Sequence, residues 1–472
     1  MTKYSDSNGL VLLLVPLLFL NAAFAKLELT MAIEIFRHGA RASIEQSYWN
    51  NWTHFGELTA NGAREHFTLG LEVAKRYRDL LPFQFDPELI RVQSTHWNRT
   101  IHSAYSQLAG VFSTGDTQDY PRLHETFDLT LLNPPSNLST KSSNLQNQSS
   151  ALPSNYNPIP VHVTEKRYDH ILTGYNSDTC PYIATLIQNQ LDYLFTSQEM
   201  QALRDELQPF VTQAVKNRWI ASTDESSLEA LLQTTRVNDW LMTGYTDGRP
   251  VPFLPGSDNW KGYEYVYQVV SQVQLNSNPL QWQLGSGNFL NLVLEYFTNK
   301  TQNLTTYNFL FFSAHDSNLI SILSALNQTS VGCFQQKYRN KSYVNPTCVY
   351  PTYASSIFFE LWTNSVNRSD VRVKVVYNDM ILQLCGQDFC GLEEFANVIN
   401  AATGGIMFSQ YLQICNYGLP STTIPSFDWI SALHLVLIIV LSVGILFSLK
   451  IKVLDTTREN WSLSERKNMI TH

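Results

Sequence analysis

The chain has 472 residues, of which 44% are hydrophobic and 12% aromatic, so it can bury a large core and global disorder is excluded. A formal net charge of −8 and a pI near 5.8 exclude a nucleic-acid binder that works through a basic surface. Any phosphate recognition must therefore be local.

The predicted elements, in chain order, begin with a short apolar run at residues 10–20, behind a polar start containing Lys3. Ala23-Phe24-Ala25 stands where a signal peptidase cuts, so residues 1–25 read as a secretory signal peptide. Residues 29–36 (LTMAIEIF) have strand length and end on Arg37-His38-Gly39-Ala40-Arg41. Thr59 is placed to cap a helix running through Tyr77. A second stretch, residues 94–100, carries His96 and Arg99, and behind it Ile101, Ala104, Leu108 and Val111 share one helical face. Residues 136–160, rich in Ser, Asn, Gln and Pro, read as an exposed loop or insertion. Residues 307–312 (YNFLFF) form a second buried-strand candidate that leads into His315-Asp316, followed by a helical face of Leu319, Ile322, Leu323 and Leu326. Strands alternating with helices imply an α/β sheet with helices on both faces.

Residues 429–449 contain no Asp, Glu, Lys or Arg. At about 1.5 Å per residue they can cross a hydrocarbon core of about 30 Å, and are expected to form a single transmembrane helix. Lys450 and Lys452 follow at once, so residues 450–472 are expected on the cytosolic side and residues 26–425 on the lumenal or extracellular side. All six cysteines lie between the two apolar segments, where an oxidising compartment would let three disulfides form. Six cysteines allow 15 pairings, and spacing favours only a local Cys385–Cys390 loop. Without a CxxC pair a zinc site is not expected, and no other metal or cofactor is called for. Asn-x-Ser/Thr acceptors at Asn51, Asn137, Asn147, Asn299, Asn303, Asn327, Asn340 and Asn367 fit the same compartment, with further matches at Asn98 and Asn460.

In α/β sheets ligands bind beyond the carboxyl ends of strands, where the three charged segments fall. Phosphoryl transfer needs a nucleophile, cationic donors for the phosphoryl oxygens and an acid for the leaving group. His38 can supply the nucleophilic nitrogen, and Arg37 and Arg41 the forked guanidinium groups. Arg99 adds a third guanidinium, His315 a further donor, and Asp316 the general acid. Each segment alone is more often structural or surface-exposed, as are His96 and His102; the conjunction carries the reading.

RHGAR after a first strand, GELTANGAREHFTLG from Gly56, STHWNRTIHSA around Arg99, SAHDSNL around His315 and Tyr353-Ala354-Ser355 together resemble the histidine acid phosphatases, in order and spacing. The likeness covers about Glu28 to Cys415 and is nearest the prostatic and lysosomal branch. It implies a parallel-rich α/β sheet with a smaller, mainly helical cap domain within roughly residues 120–280. It also implies a phosphohistidine on His38, phosphoryl binding by Arg37, Arg41, Arg99 and His315, protonation of the leaving alcohol by Asp316, and the disulfides Cys180–Cys415, Cys333–Cys348 and Cys385–Cys390. One position departs: Ser43 stands where the family commonly has proline, so some stiffness of the loop is expected to be lost. The expected activity is hydrolysis of small phosphate monoesters, with phosphoproteins as further candidates, by a single-pass membrane protein of the endolysosomal system or cell surface. No nucleic-acid partner is expected, and a homodimer is left open. The competing reading is a catalytically silent ectodomain that binds phosphorylated ligands or a partner; an intact His38 and Asp316 speak for the enzyme.

Overall fold

The computed structural model describes residues 26–418 except 48, 113–158, 341–344, 346 and 349. The expected signal peptide, the membrane helix at 429–449 and most of the polar stretch at 136–160 lie outside the described residues. Among the described residues no helix is long and apolar enough to cross a membrane. The chain divides into a unit Met1–Asn416, built around one sheet, and a unit Tyr417–His472.

The first strand, β1 (Leu27–Arg37), is buried along its whole second half, as a central strand covered on both faces should be. It is followed by α1 (Ala60–Arg76), whose cap is the hydroxyl of Thr59 accepting from the Gly62 N–H, and by β2 (Ile90–Ser94) and α2 (Asn98–Val111). A two-residue β3 (His162–Val163) precedes a helical stretch of α3 (Tyr182–Thr196), α4 (Gln201–Lys216), α5 (Leu228–Thr246), α6 (Asp258–Asn276) and α7 (Pro279–Thr301). Then come β4 (Phe309–Ala314), α8 (Asp316–Ala325), α9 (Val331–Arg339) and the strands β5 (Ser356–Asn364), β6 (Val371–Tyr377), β7 (Met380–Leu382) and β8 (Cys390–Gly391), before α10 (Leu392–Thr403) and α11 (Phe408–Tyr417).

The sheet order is β3-β2-β4-β1-β5-β6-β7, with β8 paired to β6. Only β3, β2, β4 and β1 run parallel; β1 to β5 and every pairing beyond it is antiparallel. The sheet is thus mixed rather than parallel-rich. The physical reason is that β5, β6 and β7 follow one another through short turns, which can only return antiparallel.

Helices do cover both faces. Val73 of α1 and Ala104, Leu108 and Val111 of α2 pack with Ala32, Phe36 and Phe311 on one side. Phe289 and Val293 of α7, Leu319 and Ile322 of α8 and Phe395 of α10 pack with Ile33, Ile35 and Phe312 on the other. A separate core joins α4, α5 and α6 through Leu207, Val211, Leu231, Val237, Trp240 and Val266. β1 leads to α1 on one face, whereas its parallel neighbour β4 leads to α8 on the other. Connections that part in this way leave a crevice at the carboxyl ends of the two strands.

Candidate active site

His38 and His315 are the first residues beyond β1 and β4, at that crevice. The strands pair with Arg37 opposite Ala314, and the His38 N–H donates to the Ala314 carbonyl at 3.0 Å. The two imidazoles meet edge to face, 5.4 Å between centroids. His38 Nδ1 lies 2.9 Å from the carbonyl oxygen of Gly39, which can only accept, so Nδ1 carries the proton and Nε2 keeps its lone pair. Burial, then Arg37, His315, Arg99 and Arg41, hold the His38 imidazole well below its ordinary range. At neutral pH the imidazole is therefore uncharged, with the lone pair on Nε2.

The loop carrying His38 is pressed onto α1. A side chain on Gly39 would place Cβ 2.3 Å from the Gly62 carbonyl oxygen, and one on Gly62 would place it 2.1 Å from that of Ala40. The Gly39 N–H donates to Ser103 Oγ at 3.1 Å and the Ala40 N–H to Glu65 Oε2 at 2.7 Å.

Arg37 donates through Nη2 to Asp316 Oδ2 at 2.7 Å and through Nη1 to the Pro351 carbonyl at 2.6 Å, and its guanidinium lies 4.4 Å from the centre of the Tyr353 ring. Burial works against its charge, but Asp316 and the tyrosines Tyr353 and Tyr267 outweigh it and raise the Arg37 pKa. Arg41 pairs with Asp239 of α5 at 2.7 Å. Arg99, on the first turn of α2, has no carboxylate partner among the described residues; burial and then Arg41 bring its pKa down to about 10, still charged at neutral pH. The Nε groups of Arg37 and Arg99 are buried without a hydrogen-bond partner.

His315 is turned by Thr95, whose Oγ1 lies 3.0 Å from Nε2, and by Trp97, whose ring meets it edge-on at 4.7 Å. Burial, then Arg99 and the other arginines, keep it neutral. Asp316 opens α8, where the helix dipole favours an anion; its Oδ2 accepts from Tyr267 Oη at 3.3 Å and its Oδ1 from the Ser317 N–H at 2.8 Å.

Behind the loop runs a buried polar chain. His66 Nε2 reaches the Arg37 carbonyl oxygen at 3.0 Å and its Nδ1 the Gln107 amide at 3.1 Å, while the other end of that amide meets Glu34 Oε2 at 2.7 Å. Burial pulls His66 down to about 4 and pushes Glu34 up to about 8. Both are then neutral near pH 6, with the Gln107 Nε2–H donating to Glu34 Oε2 and the Gln107 Oε1 facing His66 Nδ1.

All six residues expected at the site thus line one crevice. His96 lies at its rim against Trp97, with ring centroids 3.9 Å apart; His102 faces outward from α2. Sequence reasoning missed Asp239, Thr95 and Tyr267, and gave Tyr353 no role. The stiffness expected to be lost at Ser43 is replaced: Ser43 is fully buried and donates to Asp239 Oδ2 at 3.2 Å. The structure joins Cys180 to Cys415, Cys333 to Cys348 and Cys385 to Cys390.

Residues 28–378 match the histidine phosphatase superfamily (branch 2). The chain is 24% identical to the prostatic acid phosphatase of Bos taurus over 68% of its own length and 74% of that protein, and 24% identical to the lysosomal acid phosphatase of Xenopus laevis over 68% and 67%. Across the first relatives, the matched part is 64% to 74% of their length. A solved phytase of Klebsiella sp ASR1 shares the fold with a TM-score of 0.54 at 16% identity, over 81% of this chain and 97% of the phytase. With its motif arginines and histidines gathered at one crevice, and with the family match covering the whole sheet up to β6, the chain belongs to the histidine acid phosphatases of the histidine phosphatase superfamily (branch 2).

Proposed function

We propose that the protein is an acid phosphatase that hydrolyses phosphate monoesters through a phosphohistidine on His38, with its catalytic part on the lumenal or extracellular side of a membrane. The observation that carries this reading is the pair of neutral histidines inside three guanidinium groups, two of which hold buried N–H donors without partners. Buried donors of that kind call for an acceptor, and phosphoryl oxygens supply it.

In the reaction, His38 Nε2 forms a bond to phosphorus as the ester P–O bond breaks. Arg37, Arg41, Arg99 and His315 hold the three equatorial oxygens, whose charge the arginines stabilise in the transition state. Asp316, which takes up the proton of a monoanionic substrate as that substrate displaces it from Arg37, gives it to the departing oxygen, and the alcohol leaves neutral. Substrate oxygens that take over Arg37 free Asp316 to face the leaving group. Asp316 then accepts a proton from water, which attacks phosphorus and releases His38 and inorganic phosphate. Both relatives are acid phosphatases by name, which supports acid phosphatase activity, and the lysosomal one supports a non-cytosolic site of action. A brief reaction with labelled substrate, quenched in alkali, should leave the label on His38 in a bond that is stable to alkali and labile to acid. Label on a serine, or none during continued turnover, would refute the covalent step.

A further inference from the structure

Arg37 shares its charge with Asp316, to which the proposed reaction assigns the leaving-group proton. Arg41 is also paired, but with a carboxylate to which the reaction assigns no task. Asp239 comes from α5, in the helical layer, and reaches across to the catalytic loop. Its Oδ1 accepts from Arg41 Nη2 at 2.7 Å and its Oδ2 from Nη1 at 3.4 Å, while Nη1 also donates to the Ala42 carbonyl at 3.0 Å. The same Oδ2 accepts from Ser43 Oγ at 3.2 Å and from the Ile44 N–H at 3.4 Å. One carboxylate therefore holds the loop at its backbone, at a neighbouring hydroxyl and at the guanidinium itself. The Arg41 and Asp239 side chains retain 6% and 19% of their exposure, so solvent weakens the pair little. A planar fork held at both ends of one edge cannot rotate away from the crevice, which leaves its remaining N–H groups aimed in one direction.

We infer that Asp239 and Ser43 are positioning residues for Arg41: Asp239 fixes the plane of the guanidinium, and Ser43, standing where the family commonly has proline, ties the loop to the same carboxylate by a hydrogen bond instead of a ring. The inference rests on the proposed reading of Arg41 as a phosphoryl-binding group. It places the anchor of a catalytic arginine in the helical layer, so the relation of α5 to the sheet sets the geometry of the phosphoryl site.

The test is a double-mutant cycle in the full-length protein, with kcat and KM for p-nitrophenyl phosphate and the inhibition constant of inorganic phosphate measured for R41A, D239A, D239N, S43A and R41A/D239A. If Asp239 acts through Arg41, D239A lowers kcat about tenfold with KM nearly unchanged, and R41A/D239A is no slower than R41A alone. D239N, which keeps an acceptor oxygen, recovers part of the loss, and S43A loses a few-fold. The inference is overturned if the D239A loss persists in full on the R41A background, since the effect would then be general to the fold. It is equally overturned if D239N and S43A both turn over like the wild type, a comparison that stands even where D239A does not fold. An R41A protein that matches the wild type in kcat and in phosphate inhibition would instead refute the phosphoryl-site reading beneath it.

Discussion

Glu34 is the sharpest place to test the electrostatics of the core. It lies within β1, with none of its surface exposed, and its Oε2 accepts from the Gln107 Nε2–H at the far end of the chain that runs through His66 to the Arg37 carbonyl. Its pKa rises from 4.5 to about 8 on folding because burial penalises the carboxylate. Below pH 4.5 folded and unfolded chains both hold the proton, and nothing is lost. Between 4.5 and 8 the unfolded chain releases it and the folded chain does not, so stability falls as pH rises, by about 1.4 kcal/mol per unit. Over that window the loss approaches about 5 kcal/mol, which for the roughly 340 described residues at about 2.1 cal/mol/K each is about 7 °C in melting temperature. Glu34→Gln keeps the shape and an acceptor oxygen for the Gln107 N–H and removes the titration. The variant should melt with the wild type at pH 4.5 and progressively above it toward pH 8, as read by differential scanning fluorimetry across the range. Parallel melting curves at every pH, or a variant already several degrees less stable at pH 4.5, would refute the neutral-chain argument.

Asp316→Ala should slow alkyl phosphates by about 10² or more while p-nitrophenyl phosphate, whose leaving group needs little proton assistance, loses far less; equal losses would mean that Asp316 is not the acid. Because burial and the arginines hold the His38 pKa below the ordinary imidazole value, its titration midpoint by histidine-selective NMR should lie below 6.5, and a midpoint near 6.5 would contradict the buried arginine cage. Gly62→Ala would push Cβ to 2.1 Å from the Ala40 oxygen, so a loss of about 1–3 kcal/mol in stability and a drop in kcat are expected from chemical denaturation and steady-state assays. A chain ending near Ser426 should be secreted and active, and an inactive but folded product would show that the following segment contributes to the site.

What the sequence made legible was local. Arg37, His38 and Arg41 stand in one short string at a strand end, and His315-Asp316 at another, so a rule about carboxyl ends of strands was enough to bring them together. Asp239 was hidden because an acid on the polar side of a helix looks like any solvated residue; only the packing of α5 over the crevice turns it toward Arg41. Glu34 interrupts an otherwise apolar strand and could have been flagged as a buried acid, but its partner Gln107 comes from α2 and no spacing connects them. The antiparallel half of the sheet was also readable in principle. VRVKV at the start of β6 alternates and follows β5 through a short turn, whereas the strand-then-helix rhythm belongs to the N-terminal half alone. Asn98, at the start of α2, is exposed, with its amide donating to Glu57 Oε1 at 3.0 Å.

The ladder between β1 and β4 sets the distance between nucleophile and partner histidine, and this has a consequence for how the gene can vary. A strand side chain alternates faces every residue, so losing or gaining one codon within β1 would send Arg37 and His38 to opposite sides of the sheet or shift the imidazole by about 3.3 Å along it. The turn between β5 and β6 is under no such constraint, because residues added there move neither histidine. Length variation among natural or engineered forms of this protein should therefore gather at that turn, while the spacing from Ala32 to His38 and from Phe309 to His315, set rung for rung by the same hydrogen bonds, stays locked in both strands at once.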